Sequence, residues 1–324
     1  MRRVRYHAYG DPDVLTVEEA DIPTPGPGQV LVRAEAIGAN FVDTKFRRGP
    51  SSGALFQRPL PGKLTGDVVG TVEAAGPGVD TRQVGRRVAG LAEDAFADYV
   101  LAEARWLAPV PEGLDAGAAS MLPMGAPVAL RTLRAGRLAA GETVLIHAAA
   151  GGIGHLAVQL ARQLGAGTVI ATAGSPAKLA FARAHGADIA IDYTDSDWPD
   201  QVRKAAPQGV DVVLDSVGGE TLHRSFDVLA PFGRIVVYGA ASGDLTSVPV
   251  THLFALKSVT GFSLLAWRVA DPERAREEMT EVAAYTTAGD LRTAVHARIP
   301  LTGAAAAHRI LEDRSHLGRV LLVP

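Results

Sequence analysis

The chain of 324 residues contains no cysteine, which excludes disulfides, thiolate nucleophiles and every zinc or iron–sulfur site built on sulfur ligands. It also has no surplus of positive charge. Its 32 Lys and Arg face 35 Asp and Glu, for a formal charge of −3, and with no dense basic tract a nucleic acid is not expected as a partner. No apolar run reaches the roughly 18 to 20 residues that cross a bilayer, and Met1–Tyr6 lacks the apolar stretch of a signal peptide. A cytoplasmic protein with no membrane partner is expected. At 47% hydrophobic residues, the length suffices for two domains, each with its own core.

What the sequence does contain is a strand, Thr143 to His147, running into Ala148-Ala149-Ala150-Gly151-Gly152-Ile153-Gly154 and then a helix predicted from Gly152 to about Leu164. Ile153, Leu156, Ala157, Leu160 and Leu164 share one face of that helix, and a second strand is expected at Thr168 to Thr172. Strand, glycine turn and helix together read as a dinucleotide-binding turn, in which backbone N–H groups and the positive helix end meet a pyrophosphate. Gly151, Gly152 and Ile153 are its candidate contacts, although Ala149 stands where a strict G-x-G-x-x-G has its first glycine.

Around this turn the chain changes texture. Up to about residue 110, short β segments are broken by turn residues. From about 119 to 258, strands alternate with helices: further strands are expected at Ile189 to Ile191, Val210 to Asp215 and Arg234 to Gly239, which predicts a doubly wound parallel sheet. The tail carries a helix near Pro272 to Thr287, a strand near Val295 to Ile299, a helix near Gly303 to Glu312 and a last strand at Val320 to Val323. The predicted division is 1–118 with 259–324 as one domain and 119–258 as the other.

Four separated stretches resemble the medium-chain dehydrogenase/reductase superfamily, and specifically its zinc-free quinone oxidoreductase branch, the zeta-crystallin-like proteins. They are Ala36–Thr44 with Arg47 and Gly49, Pro61-Gly62 with Asp67 and Gly70 to Gly78, Asp211–Gly219, and Ala307–Arg309 through Gly318-Arg319-Val320. The resemblance implies an α/β protein with a GroES-like irregular β-barrel catalytic domain and a Rossmann cofactor domain. Zinc-dependent relatives place a cysteine where this chain has Asn40 and a histidine where it has Gly66, so no metal is expected.

The end of the second strand, Ala171-Thr172-Ala173-Gly174-Ser175-Pro176-Ala177-Lys178, holds no carboxylate to bond the ribose hydroxyls of NAD or repel a 2′-phosphate. NADPH is therefore the expected cofactor. Thr172 and Gly174 belong to that neighbourhood; by resemblance, Ser175 and Lys178 sit at the 2′-phosphate and Tyr193 near the adenosine phosphate. The resemblance also implies a cofactor contact from Ser216 at the end of its strand, Tyr238, Gly239 and Ala240 along the nicotinamide side, and Phe262, Leu264 and Arg319 as late contacts. The other reading of Tyr238 and Phe262 is core packing and that of Lys178 an exposed helix residue, while His147 reads as a hydrogen-bonded structural histidine.

Hydride transfer without metal needs a donor for the charge that forms on the acceptor oxygen. Asn40 is the first catalytic candidate; the other reading has it orienting the nicotinamide ribose or a turn. Lys45 either stabilises an enolate or phenolate or is a solvated cation, and Asp43 is expected to hold Arg47 or the local backbone. The resemblance implies a quinone or an α,β-unsaturated carbonyl compound as the acceptor; Lys45, Ser51 and Ala129 stand where members of the branch can carry tyrosines, which weakens the quinone more than the NADPH reductase. The alternatives are a stand-alone enoyl reductase acting on a thioester and, in another class, a non-catalytic NADPH-binding sensor or structural protein. Pro50–Phe56 is expected as a loop over the entrance, and Ser258–Phe262 as an edge strand for a homodimer or an internal strand.

Overall fold

In the computed structural model, which describes residues 1–53 and 56–324, the chain forms two compact units: residues 1–124 with 279–324, and residues 125–278. The first unit opens with an antiparallel ribbon of β1 (Arg2–Tyr6) and β2 (Leu15–Glu19). It continues through β3 (Gln29–Ala39), α1 (Phe41–Arg48), β4 (Gly66–Ala75), β5 (Arg87–Ala92), β6 (Tyr99–Glu103), β7 (Ala108–Pro109) and the short α2 (Ala116–Ala119).

The second unit alternates helix and strand: α3 (Gly125–Ala135), β8 (Thr143–Ile146), α4 (Gly154–Gln163), β9 (Thr168–Ala173), α5 (Pro176–Ala184), β10 (Ile189–Asp192), α6 (Trp198–Ala205), β11 (Val210–Asp215), α7 (Gly219–Ser225), β12 (Leu229–Val237), β13 (Ser258–Gly261) and α8 (Leu264–Ala270). Helix α9 (Pro272–Ala288) then returns the chain to the first unit, which ends with β14 (Val295–Pro300), α10 (Ala304–Glu312) and β15 (Arg319–Val323).

In the second unit six strands pair in parallel in the order β10-β9-β8-β11-β12-β13. Parallel neighbours need crossover connections, and helices on both faces explain why β8, β9 and β11 are buried along nearly their whole length. The order reverses between β8 and β11, the position where doubly wound sheets hold ligands beyond the carboxyl ends of their strands. In the first unit the sheet order is β14-β15-β3-β4-β5-β7, with β6 also pairing β3. Val32, Ile37, Val68, Val72 and Leu322 pack its core together with Leu311 of α10.

Several boundaries differ from the sequence expectation. The second unit runs to Glu278 rather than 258, because β13 pairs with β12 and completes the six-stranded sheet. Its first residue is Gly125 rather than 119. Helix α4 starts at Gly154, two residues late, and β12 starts at Leu229, five residues before Arg234, with an irregularity in its pairing to β11 before Arg234. Strand β13 lies at the sheet edge. Of the expected 50–56 loop, residues 50–52 belong to a short 3-10 turn, while residues 54 and 55 lie outside the described residues.

Candidate active site

The carboxyl ends of β8, β9 and β10 gather half of the expected cofactor residues. After β8, a methyl group at Gly154 would lie 2.4 Å from the Ala148 carbonyl oxygen, so only glycine lets the helix start this close to the strand. The amides of Gly152 and Ile153 take no backbone acceptor among the described residues, which leaves them as donors at the start of α4. Ala149 and Ala150 are buried, so the missing first glycine is filled by core methyl groups.

Beside this turn, Ser175 caps α5: its hydroxyl accepts from the Lys178 amide at 3.4 Å, and Pro176 follows at the first helical position. The Tyr193 amide donates to Ala173 at 3.2 Å, and its ring lies against Gly174, where a methyl group would meet it at 3.4 Å. Gly174, Ser175, Lys178 and Tyr193 thus form one group. The carboxylate nearest in register is Asp192, opposite Ala173, and it is turned into its own loop, accepting from the Thr194 amide at 2.9 Å and hydroxyl at 2.7 Å.

Thr172 is a correction to the expected set. It is fully buried and its hydroxyl bonds His147 Nδ1 at 2.8 Å, so its side chain belongs to the core. His147 Nε2 meets the Ser225 hydroxyl at 2.8 Å; since Ser225 donates to the Thr221 carbonyl, the imidazole carries its proton on Nε2. Burial pulls its pKa down to about 3, which keeps it neutral. It is a structural histidine.

At the ends of β11 and β12, Asp215 accepts from the amides of Val217 at 2.6 Å and Gly218 at 3.1 Å, which fixes the turn carrying Ser216. Ser216 bonds the Tyr238 hydroxyl, and burial pushes that phenol up to about 12. A methyl group at Gly239 would lie 3.0 Å from the Ser216 carbonyl oxygen, so these two strand ends are in close contact. Ala240 follows, half-buried, and Phe262 continues the next strand, its amide donating to Val237 at 2.9 Å, with Leu264 opening α8.

The first unit carries Asn40, the expected donor. Asn40 is 5% exposed and precedes α1 without capping it; its Oδ1 accepts from Arg319 Nη1 at 2.8 Å, while Nδ2 meets no acceptor among the described residues. Arg319 also donates to the Ala39 carbonyl at 3.2 Å and pairs with Asp67, which leaves only its Nε without an acceptor among the described residues. Asp67 was quoted in the sequence only as a family match, with no role. Its signal was there: a carboxylate that opens the apolar run Val68-Val69 of β4 calls for a cation.

Asp43 holds Thr65 rather than Arg47, accepting from its amide and its hydroxyl at 2.7 Å each. Arg47 instead pairs with Glu312 and donates to the Gly10 carbonyl at 3.0 Å. Burial pushes the Asp43 carboxyl up to about 7 in spite of the Thr65 bonds. Lys45 lies further along α1, its ammonium 5.4 Å from the centre of the Phe41 ring, and burial beside Arg314 and Arg48 lowers its pKa.

A zinc ion does not suit this donor set. The guanidinium of Arg319 occupies Asn40 Oδ1, and a methyl group at Gly66 would already meet Ile37 at 2.7 Å. Among the described residues no three His, Cys, Asp or Glu side chains gather as a metal site, and no helix is long and apolar enough to cross a membrane.

Two family models match the chain: alcohol dehydrogenase GroES-like domain over residues 26–112, and zinc-binding dehydrogenase over residues 152–284. A quinone oxidoreductase of Pseudomonas aeruginosa is 37% identical over 100% of this chain and 99% of its own. A 2-haloacrylate reductase of a Burkholderia species is 35% identical over 98% and 97%. Among solved structures, a mycobacterial protein complexed with NADPH superposes with a TM-score of 0.93 at 34% identity, covering 100% of both chains. With these matches along its whole length and the sheet order and glycine turn described above, the chain belongs to the medium-chain dehydrogenase/reductase superfamily, in its quinone oxidoreductase branch.

Proposed function

We propose that the protein is an NADPH-dependent oxidoreductase that reduces a quinone or an activated, α,β-unsaturated carbonyl compound. The observation that carries this reading is the carboxyl edge of β8 to β10, where free turn amides stand beside a Ser175-Lys178-Tyr193 group whose neighbouring carboxylate is already engaged. The residues fit the cofactor. Gly151, Gly152 and Ile153 would hold the pyrophosphate, and Gly174, Ser175, Lys178 and Tyr193 the phosphorylated adenosine ribose. Ser216, Tyr238, Gly239, Ala240, Phe262 and Leu264 would line the nicotinamide.

When bound, NADPH supplies a hydride. This chain's part is to place the acceptor and stabilise the charge that develops on its oxygen, for which Asn40 Nδ2 is the buried donor. Quinones and haloacrylates, the compounds named for two relatives, share a polarised double bond that accepts hydride, and this supports the acceptor class. A homodimer through β13 belongs to the same reading. Following NADPH absorbance with a panel of quinones and enones tests it: oxidation with at least one acceptor is expected. Tight NADPH binding with no oxidation by any acceptor would favour a non-catalytic sensor.

A further inference from the structure

Arg319, on β15, reaches Asp67, on β4, by lying across Gly38 of the intervening β3; a methyl group on Gly38 would sit 1.6 Å from Arg319 Nη2. The three residues that matter here are buried: Asn40 is 5%, Arg319 4% and Asp67 0% exposed. A buried ion pair needs a reason, since its desolvation often outweighs its attraction. Here the second hydrogen-bonding nitrogen of Arg319 ends on Asn40 Oδ1 at 2.8 Å.

A guanidinium has only donors, so it fixes which way the amide is turned. With Asn40 reversed, two sets of N–H groups would face each other and Oδ1 would be stranded. The arrangement seen puts the amide oxygen on Arg319 and leaves Nδ2 as a buried donor with no acceptor in the described chain. A group of that kind is costly unless a ligand oxygen completes it.

We propose that Asp67 and Arg319 are positioning residues that lock Asn40 in one amide orientation, so that Nδ2 donates to the carbonyl oxygen of the electron acceptor during hydride transfer. This rests on the reductase reading given above. The acceptor gains a hydride from NADPH, which leaves as NADP⁺; negative charge develops on the acceptor oxygen under the Nδ2–H donor, and solvent water supplies the proton that completes the product. Thr65 and Asp43, bonded to each other, take no part in this lock.

Two variants separate the roles. Asn40→Asp keeps the oxygen that Arg319 holds and removes the N–H donor; kcat is expected to fall about 10²-fold, as for loss of one oxyanion donor, with the NADPH Kd unchanged. Asp67→Asn keeps the shape and weakens the hold on Arg319; kcat is expected to fall roughly 10- to 100-fold, with a larger isotope effect from NADPH deuterated at the transferring position. Asn40→Asp retains every partner and carries the test if Asp67→Asn misfolds. Wild-type turnover with unaffected variants overturns this inference alone. Loss of NADPH affinity with kcat intact also overturns it, because Asn40 would then hold the cofactor. A wild type that oxidises NADPH with no acceptor overturns the reductase reading as well.

Discussion

Arg319 and Asp67 form an ion pair across a strand that contributes neither of them. Strand β3 runs between their strands, with Gly38 opposite Leu321 on one side and Asp67 on the other, and only a residue without a side chain lets the guanidinium pass over it. The pair links the last strand of the chain to the start of α1 through Asn40.

Gly38→Ala tests that passage directly. Its methyl group would overlap Arg319 Nη2, so either the guanidinium leaves Asp67 or β3 and β15 separate. Overpacking of this kind costs about 1–3 kcal/mol, and a urea midpoint lowered to match is expected, together with reduced turnover. Unchanged stability and activity would show that Arg319 has another route.

The sequence made the second unit legible because its signals are local. Apolar runs of strand length, helix periodicity and the glycine turn each lie within a few residues, and β11 appears at its expected bounds. The lock on Asn40 was not legible, since its members lie 279 and 252 residues apart and no spacing rule links them. Thr172 misled for a related reason: a small polar residue near a strand end resembles a ligand contact until His147 of the neighbouring segment is brought to it. Strand β13 was itself legible at Ser258–Phe262, but its place in the six-stranded sheet, which carries the second unit past residue 258, depends on its pairing with β12, a contact that no local pattern states.

The proposed preference for NADPH puts Lys178, in the first turn of α5 beside Ser175, at the 2′-phosphate. A charge-assisted contact with a 2′-phosphate is worth about 1.5–3 kcal/mol, so Lys178→Glu is expected to weaken NADPH binding by about 10- to 100-fold while leaving NADH nearly unaffected. Titration calorimetry with both coenzymes gives the comparison. Equal losses would remove Lys178 from the phosphate site.

The edge of the six-stranded sheet bears on assembly. Strand β13 is paired on one side only, and next to it Phe232, Phe254 and Leu256 are 70%, 76% and 59% exposed. The Phe232 amide donates to the Leu256 carbonyl at 2.8 Å, which places those two residues side by side. An open edge flanked by large apolar side chains is a ready surface for a second copy. Light scattering is expected to give a dimer for the wild type and a monomer for Phe254→Asp combined with Leu256→Asp. A monomeric wild type at high concentration would count against it.

Acid sensitivity is expected from His308 on α10. It is fully buried, its ring edge-on to Phe96 with centroids 5.9 Å apart, and neither ring nitrogen has a partner among the described residues. Burial first, then the charge of Arg47, pulls its pKa down to about 3 from 6.5. Between those values the unfolded chain binds a proton that the folded chain refuses, so stability is fully present above 6.5 and is lost as pH falls toward 3. His147 acts in the same window. Asp43 acts in the opposite sense: its folded carboxyl keeps a proton up to about 7 that the unfolded one releases from 3.8, so its contribution is lost as pH rises through that range. His308→Leu removes one of the two histidines, and its urea midpoint is expected to fall less than the wild type's between about pH 6.5 and pH 4. Parallel pH profiles for the two proteins would mean that the buried imidazole finds a proton-bound state the fold tolerates.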